Sequence, residues 1–127
     1  MADLATSTVY GELTVTGDIK AQSNIIAQGT VTQGSDKALK EDIKMIEYGL
    51  EDVLLLDPVS FRMKTGGIKS LGFIAQDMKP IIPELVYWVE GGLSISYANL
   101  TAVLVKAIQE LKQEVDELKQ QLNKEAL

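Results

Sequence analysis

Cysteine and histidine are both absent from the 127 residues. Without cysteine there are no disulfides, thiol nucleophiles, thiolate metal sites or CxxC redox motifs. Without histidine a Ser-His or Cys-His relay is excluded, and zinc and haem lose their usual ligand. We therefore expect no metal and no cofactor. Positive charge is also scarce, with 12 Lys+Arg against 18 Asp+Glu and a net charge of -6. An acidic chain repels phosphate backbones, so no nucleic-acid partner is expected. No apolar run approaches the roughly 18 residues that a membrane span needs, so no membrane partner is expected. The start, Met1-Ala2-Asp3-Leu4, has neither the basic nor the apolar region of a signal peptide. With 46% hydrophobic and 24% charged residues, the chain has the composition of one folded domain. Any chemistry must come from Ser, Lys, Asp, Glu, Gln and Tyr.

What is present falls into three zones. Residues 1 to about 34 carry few charges and are mostly Thr, Gly, Ala, Gln, Val and Ile. Val9 to Ala21 alternates apolar and polar residues, and short β-prone runs follow at Asn24–Ala27 and Thr30–Thr32. Alternation and β-branching predict short strands, with bends at the glycines. So few large side chains cannot offset an ordering cost of ~1–2 kcal/mol per residue. The zone needs partner surface, and identical strands from sister chains supply it most simply.

Ser35 to about Ser96 reads as a compact α+β unit. Leu39, Ile43, Ile46, Leu50 and Val53 recur at helical spacing until Pro58, which predicts a helix surest over Ile46–Leu56. Val59–Met63 alternates as a strand, Gly66-Gly67 supplies a turn, and Leu71–Ala75 reads as a buried strand. Leu85–Val89 and Leu93–Ser96 flank Gly91-Gly92 as a β-hairpin.

From Tyr97 the chain reads as one long helix, coiled coil over 97–126. Leu104, Ile108, Leu111, Val115, Leu118 and Leu122 are spaced 4, 3, 4, 3, 4. Ile108, Val115 and Leu122 fall at heptad position a, and Leu104, Leu111 and Leu118 at d. Glu114 at g can meet Lys119 at e of a parallel neighbour. A wide polar face beyond Lys112 suits a narrow seam between chains better than a broad face folded onto its own domain.

Serine or threonine activated by an amine is the nucleophile scheme that remains. In Gly34-Ser35-Asp36-Lys37-Ala38-Leu39-Lys40, Ser35 and Lys40 form such a pair, and Gly34 leaves its carbonyl sterically open. Lysine acts as a base only when neutral, which takes burial or cationic neighbours such as Lys37 and Lys44. The same residues read equally as a helix start, with Ser35 or Asp36 as N-cap. Asp77 and Glu84 read as a capping Asp and a surface Glu rather than a glycosidase pair. Tyr87 and Trp88 read as hairpin residues packing a core rather than a sugar platform.

Several ordered blocks carry a family resemblance. Ser35–Ile43 resembles the opening signature of the C-terminal intramolecular chaperone domain of phage tail fibres and tailspikes, the S74 self-cleaving peptidases. Leu55–Lys64, Leu71-Gly72-Phe73-Ile74-Ala75-Gln76-Asp77, Pro83–Val86, Tyr97 and Leu104–Leu111 resemble its later blocks, covering residues 35 to about 111. The resemblance implies a homotrimer whose C-terminal domain, 35–127, guides folding of an upstream β-structured fibre, here ending in 1–34. It implies release by cleavage of the Gly34–Ser35 bond, with Ser35 as nucleophile, Lys40 as base, and the same polypeptide's fibre as partner. The setting implied is a virion tail or neck appendage precursor assembled in the host cytoplasm. Asp36, Gln76 and Glu84 fall in the family's motifs as candidate support, with packing as the competing reason for the last two. Many members place a His before Leu-Gly-Phe, where this chain has Ser70, which bears on the rate of cleavage. The alternative function is a non-cleaving trimeric fibre tip.

Overall fold

Short apolar runs closed off by glycine and proline can give only short elements. The computed structural model, which describes residues 6–126, follows that rule up to Ser96. The start read above for a leader, Met1–Leu4, lies outside the described residues. The chain divides into two units, Met1–Glu41 and Asp42–Leu127.

In the first unit, described residues 6–41 are all exposed, and no strand forms among them. The strands expected over Val9–Thr32 are therefore absent from a single chain. The physical reason is the one that made them need a partner: no apolar surface in this unit repays their ordering. The one regular element among these described residues is a 3-10 turn at Lys37–Leu39.

The second unit is α+β. Helix α1 is Leu50–Val53, strands β1 and β2 are Val59–Arg62 and Lys69–Gly72, and helix α2 is Ala75–Met78. A 3-10 turn at Pro83–Leu85 leads into β3, Val86–Val89, and β4, Gly92–Ile95, and α3 runs from Tyr97 to Glu125. The helix expected over Ile46–Leu56 is shorter, because Leu55 and Leu56 close it with i−3 hydrogen bonds to Asp52 and Val53. The run Leu71–Ala75 is not one strand. It leaves the sheet after Gly72 and enters α2 at Ala75.

Each strand pair is an antiparallel hairpin. Val59 faces Gly72 and Arg62 faces Lys69 in the first, and Val86 faces Ile95 and Val89 faces Gly92 in the second. Gly66 and Gly67 turn the first with φ of +80° and +65°, values that side chains with a Cβ rarely adopt. In the second, Val86 and Ile95 reach the core, whereas Trp88 lies further along the same face and is 78% exposed. Tyr87 is also largely exposed, so neither aromatic packs the core as expected: the hairpin outruns the domain behind it.

The core is Met78, Ile82, Leu85, Leu100 and Val103, flanked by Ile46, Tyr48, Val53 and Phe73 among others. Each such side chain contributes about 1.5–3 kcal/mol when fully buried. Tyr97 seals one edge. Its Oη accepts the Phe73 N–H at 3.1 Å, and a Cβ on Gly72 would run into that oxygen. Only glycine leaves room there, which gives the Leu-Gly-Phe block a steric meaning.

Helix α3 opens on Ser96, whose side chain accepts the Asn99 N–H. Over its first turns it uses two faces. Leu100, Val103 and Ala107 are buried in the unit's own core. The seam residues Leu104, Ile108, Leu111, Val115, Leu118 and Leu122 lie on an adjacent face and are exposed, Ile108 at 66% and Leu122 at 64%. The seam therefore does not fold back onto its own domain.

Candidate functional site

The site is built from six consecutive residues. Asp36 is extended, with φ −63° and ψ 138°, and its Oδ1 accepts the Ala38 N–H at 2.8 Å. That bond caps the 3-10 turn, in which the Leu39 N–H donates to the Asp36 carbonyl at 3.0 Å and the Lys40 N–H to the Lys37 carbonyl at 3.1 Å. Beyond the turn, Lys40 returns to extended backbone and its Nζ donates to Ser35 Oγ at 2.6 Å. Gly34 is close by as well: a Cβ built on it would lie 3.6 Å from Leu39 Cδ1. Nucleophile, amine and the carbonyl before the serine thus belong to one local turn.

In this arrangement the ammonium donates to the hydroxyl. General-base catalysis needs the reverse, a neutral amine accepting the hydroxyl proton. Ser35 and Lys40 are both exposed on the single chain. Among the described residues, no buried neighbour encloses the amine on the single chain. What the turn provides is proximity; the proton on the lysine has to be dealt with separately.

The other two candidates belong to the second unit. Gln76 is exposed in α2. Glu84 is exposed in the turn after Ile82, and its Oε1 accepts the Tyr48 hydroxyl at 2.6 Å. That bond holds the Tyr48 phenol in its protonated form, and its ionisation is pushed up from 10.0 to about 12. Glu84 is thus already engaged in tying Tyr48 to the turn.

Two residues that the sequence reading passed over organise the chain before α1. Glu110 on α3 accepts the Leu50 N–H at 3.0 Å, and its carboxylate fills the space where a Gly49 side chain would lie. Lys106, one turn earlier, donates to the Ile46 carbonyl at 3.4 Å. Their spacing with Val103 and Ala107 was the available signal, since 103, 106, 107 and 110 share one helix face. Among the described residues there is no cluster of three ligating side chains able to hold a metal, and no helix long and apolar enough to cross a membrane.

Comparison with known proteins follows the same segment. Residues 35–87 match the model of the S74 peptidases, described as the chaperone of endosialidase. The chain is similar to the long tail fiber protein Gp37 of Enterobacteria phage M1, 39% identical over 97 residues, covering 67% of this chain and 38% of the relative. The protein of the same name from Enterobacteria phage Ox2 matches with the same identity and coverage. The chain thus spans well under half the length of these curated relatives.

Proposed function

With residues 35–87 belonging to the chaperone-of-endosialidase family, we propose that this chain is an intramolecular chaperone for a phage tail fibre. It joins three copies along the α3 seam, guides the β-structured segment upstream of Ser35, and then releases itself by cutting Gly34–Ser35. On this reading 1–34 is the end of the fibre and 35–127 the chaperone domain. The observation that carries it is the Lys40 Nζ–Ser35 Oγ hydrogen bond of 2.6 Å, one residue after the glycine carbonyl to be attacked.

The physical logic runs from the two ends of the chain. Strands without a partner in cis need sister chains, and pairing between chains in the right register is slow and slip-prone. A coil that holds three chains together raises their effective concentration and sets their stagger. Closure of the assembly around Ser35 removes water from Lys40 and favours its neutral form. Ser35 Oγ then attacks the Gly34 carbonyl carbon. The new Oγ–C bond forms as the C–N bond breaks, and the hydroxyl proton passes through Lys40 to the departing Ser35 nitrogen. Water hydrolyses the ester, its hydroxyl going to Gly34 and its proton to Ser35 Oγ. The products are 1–34 and 35–127, in a single turnover. A fibre stripped of its guide cannot retrace its folding route, and its persistence becomes kinetic.

The reading is tested by the intact mass of freshly made chain over time. Wild type should give the two fragments, faster as pH rises, because the free amine is the active form. Ser35→Ala and Lys40→Ala should each stay at full length while remaining assembled. A stable full-length wild type in assembled form would favour the non-cleaving fibre tip instead.

A further inference from the structure

The turn between the two reacting residues has its own keystone. Ser35 and Lys40 are five positions apart, and an extended chain would hold them about 16 Å apart. They meet because the 3-10 turn Lys37–Leu39 reverses the chain, and its first N–H within reach of a side chain, that of Ala38, is satisfied by Asp36 Oδ1 at 2.8 Å. The same turn brings Leu39 over Gly34. None of the described residues of the first unit is buried, so no core among them holds this geometry in place of the cap. Resting on the self-cleavage reading above, we infer that Asp36 is a positioning residue. Its side chain closes the turn that sets Lys40 on Ser35, so the dyad is already assembled in the unassociated chain. Association then has to change the protonation of the amine and need not build the pair.

The carboxylate acts as a hydrogen-bond acceptor, and this separates its role from that of a charge near Lys40. Asparagine keeps an acceptor at the same place and caps about as well, whereas alanine removes it. In the full chain, Asp36→Ala should cleave about fivefold more slowly, the factor that follows from losing a cap worth about 1 kcal/mol. Asp36→Asn should restore the rate to within about twofold of wild type. The pH profile of Asp36→Ala should fall by the same factor throughout, with its midpoint unmoved, because the proton on Lys40 is untouched. A second readout does not depend on cleavage. At mildly acidic pH, where the charged lysine arrests the cut, magnetic-resonance contacts between the Ser35 β-protons and the Lys40 ε-protons should appear in wild type and Asp36→Asn. They should weaken by about the same fivefold factor in Asp36→Ala.

An Asp36→Ala chain that keeps both the contacts and the wild-type rate overturns the inference. So does an Asp36→Asn chain as slow as alanine, which would make the charge the acting property. If no variant cleaves and wild type does not either, the self-cleavage reading fails. The proton contacts then still decide whether Asp36 builds the turn.

Discussion

Residues 6–36 and the hairpins between Val59 and Ile95 are written in a similar alphabet, short alternating apolar and polar runs punctuated by glycine. Only the hairpins form strands, and the earlier residues are exposed throughout. The difference lies in what stands next to each run. Each hairpin strand finds its partner across a short glycine turn, and Val86 and Ile95 also have a core to cover. The first region has neither a turn that pairs it with itself nor a core of its own. Strand propensity proposes a strand, and a partner surface decides whether it exists.

The comparison repeats within α3. Over the same turns, Leu100, Val103 and Ala107 are buried by their own domain while Leu104, Ile108 and Leu111 are not. Replacing Leu111 and Leu118 by Asp should have the largest effect, because a buried unpaired charge in a seam costs several kcal/mol. Sedimentation should show wild type as a trimer and the variant as a monomer, with the second unit still folded by circular dichroism. A wild-type monomer at micromolar concentration would break the account of both regions.

Next come truncations that separate region from region. Leu100→Ala should cost the second unit about 2–5 kcal/mol. Val31→Ala should leave the melt of an unassociated chain within about 0.5 kcal/mol, as exposed positions do. If Val31→Ala were equally costly there, the first region would own a core after all. A finer cut tests the seal at Tyr97. Gly72→Ala should cost about 1–3 kcal/mol by overpacking. Much of that loss should be recovered when Tyr97→Phe removes the hydroxyl, a coupling that a double-mutant thermal cycle reads directly.

The smallest expected effect is a titration. Tyr48 should ionise near 12, and Glu84→Ala should bring it back toward 10, seen by carbon-labelled tyrosine resonances. The sign follows from the raised value. The bond to Glu84 adds stability that is fully present below pH 10 and is lost as pH rises through about 12. A Tyr48 already ionising at 10 in wild type would remove this tie from the fold.

The sequence made some of these features plain and hid others for identifiable reasons. The long helix from Tyr97, the second hairpin and the exposed heptad stripe follow directly from periodicity, because each pattern satisfies a single constraint. The second face of α3 was obscured because Val103, Lys106, Ala107 and Glu110 include two charged side chains, and a polar stripe reads as solvent-facing. In the structure those charges reach the backbone at Ile46 and Leu50. Helix α2 was masked because Leu71–Ala75 is apolar enough for a strand, while the pairing with β1 ends at Gly72. Of the candidate site, the Ser35–Lys40 spacing was visible but equally consistent with a plain helix start. The turn capped by Asp36 gives the spacing its geometry, and the five-residue interval alone could not. Glu84, read as candidate support with packing as the competing reason, accepts the Tyr48 hydroxyl, a partner that the motif did not announce.

The central claim is that a dyad assembled within one chain is switched on by association along the seam. The most direct measurement follows the intact mass of wild type beside the Leu111→Asp, Leu118→Asp variant at equal concentration and pH. The account predicts that wild type is cut between Gly34 and Ser35 while the unassociated variant stays at full length, its Ser35–Lys40 contact retained. A variant that remains monomeric and cuts at the wild-type rate would contradict it.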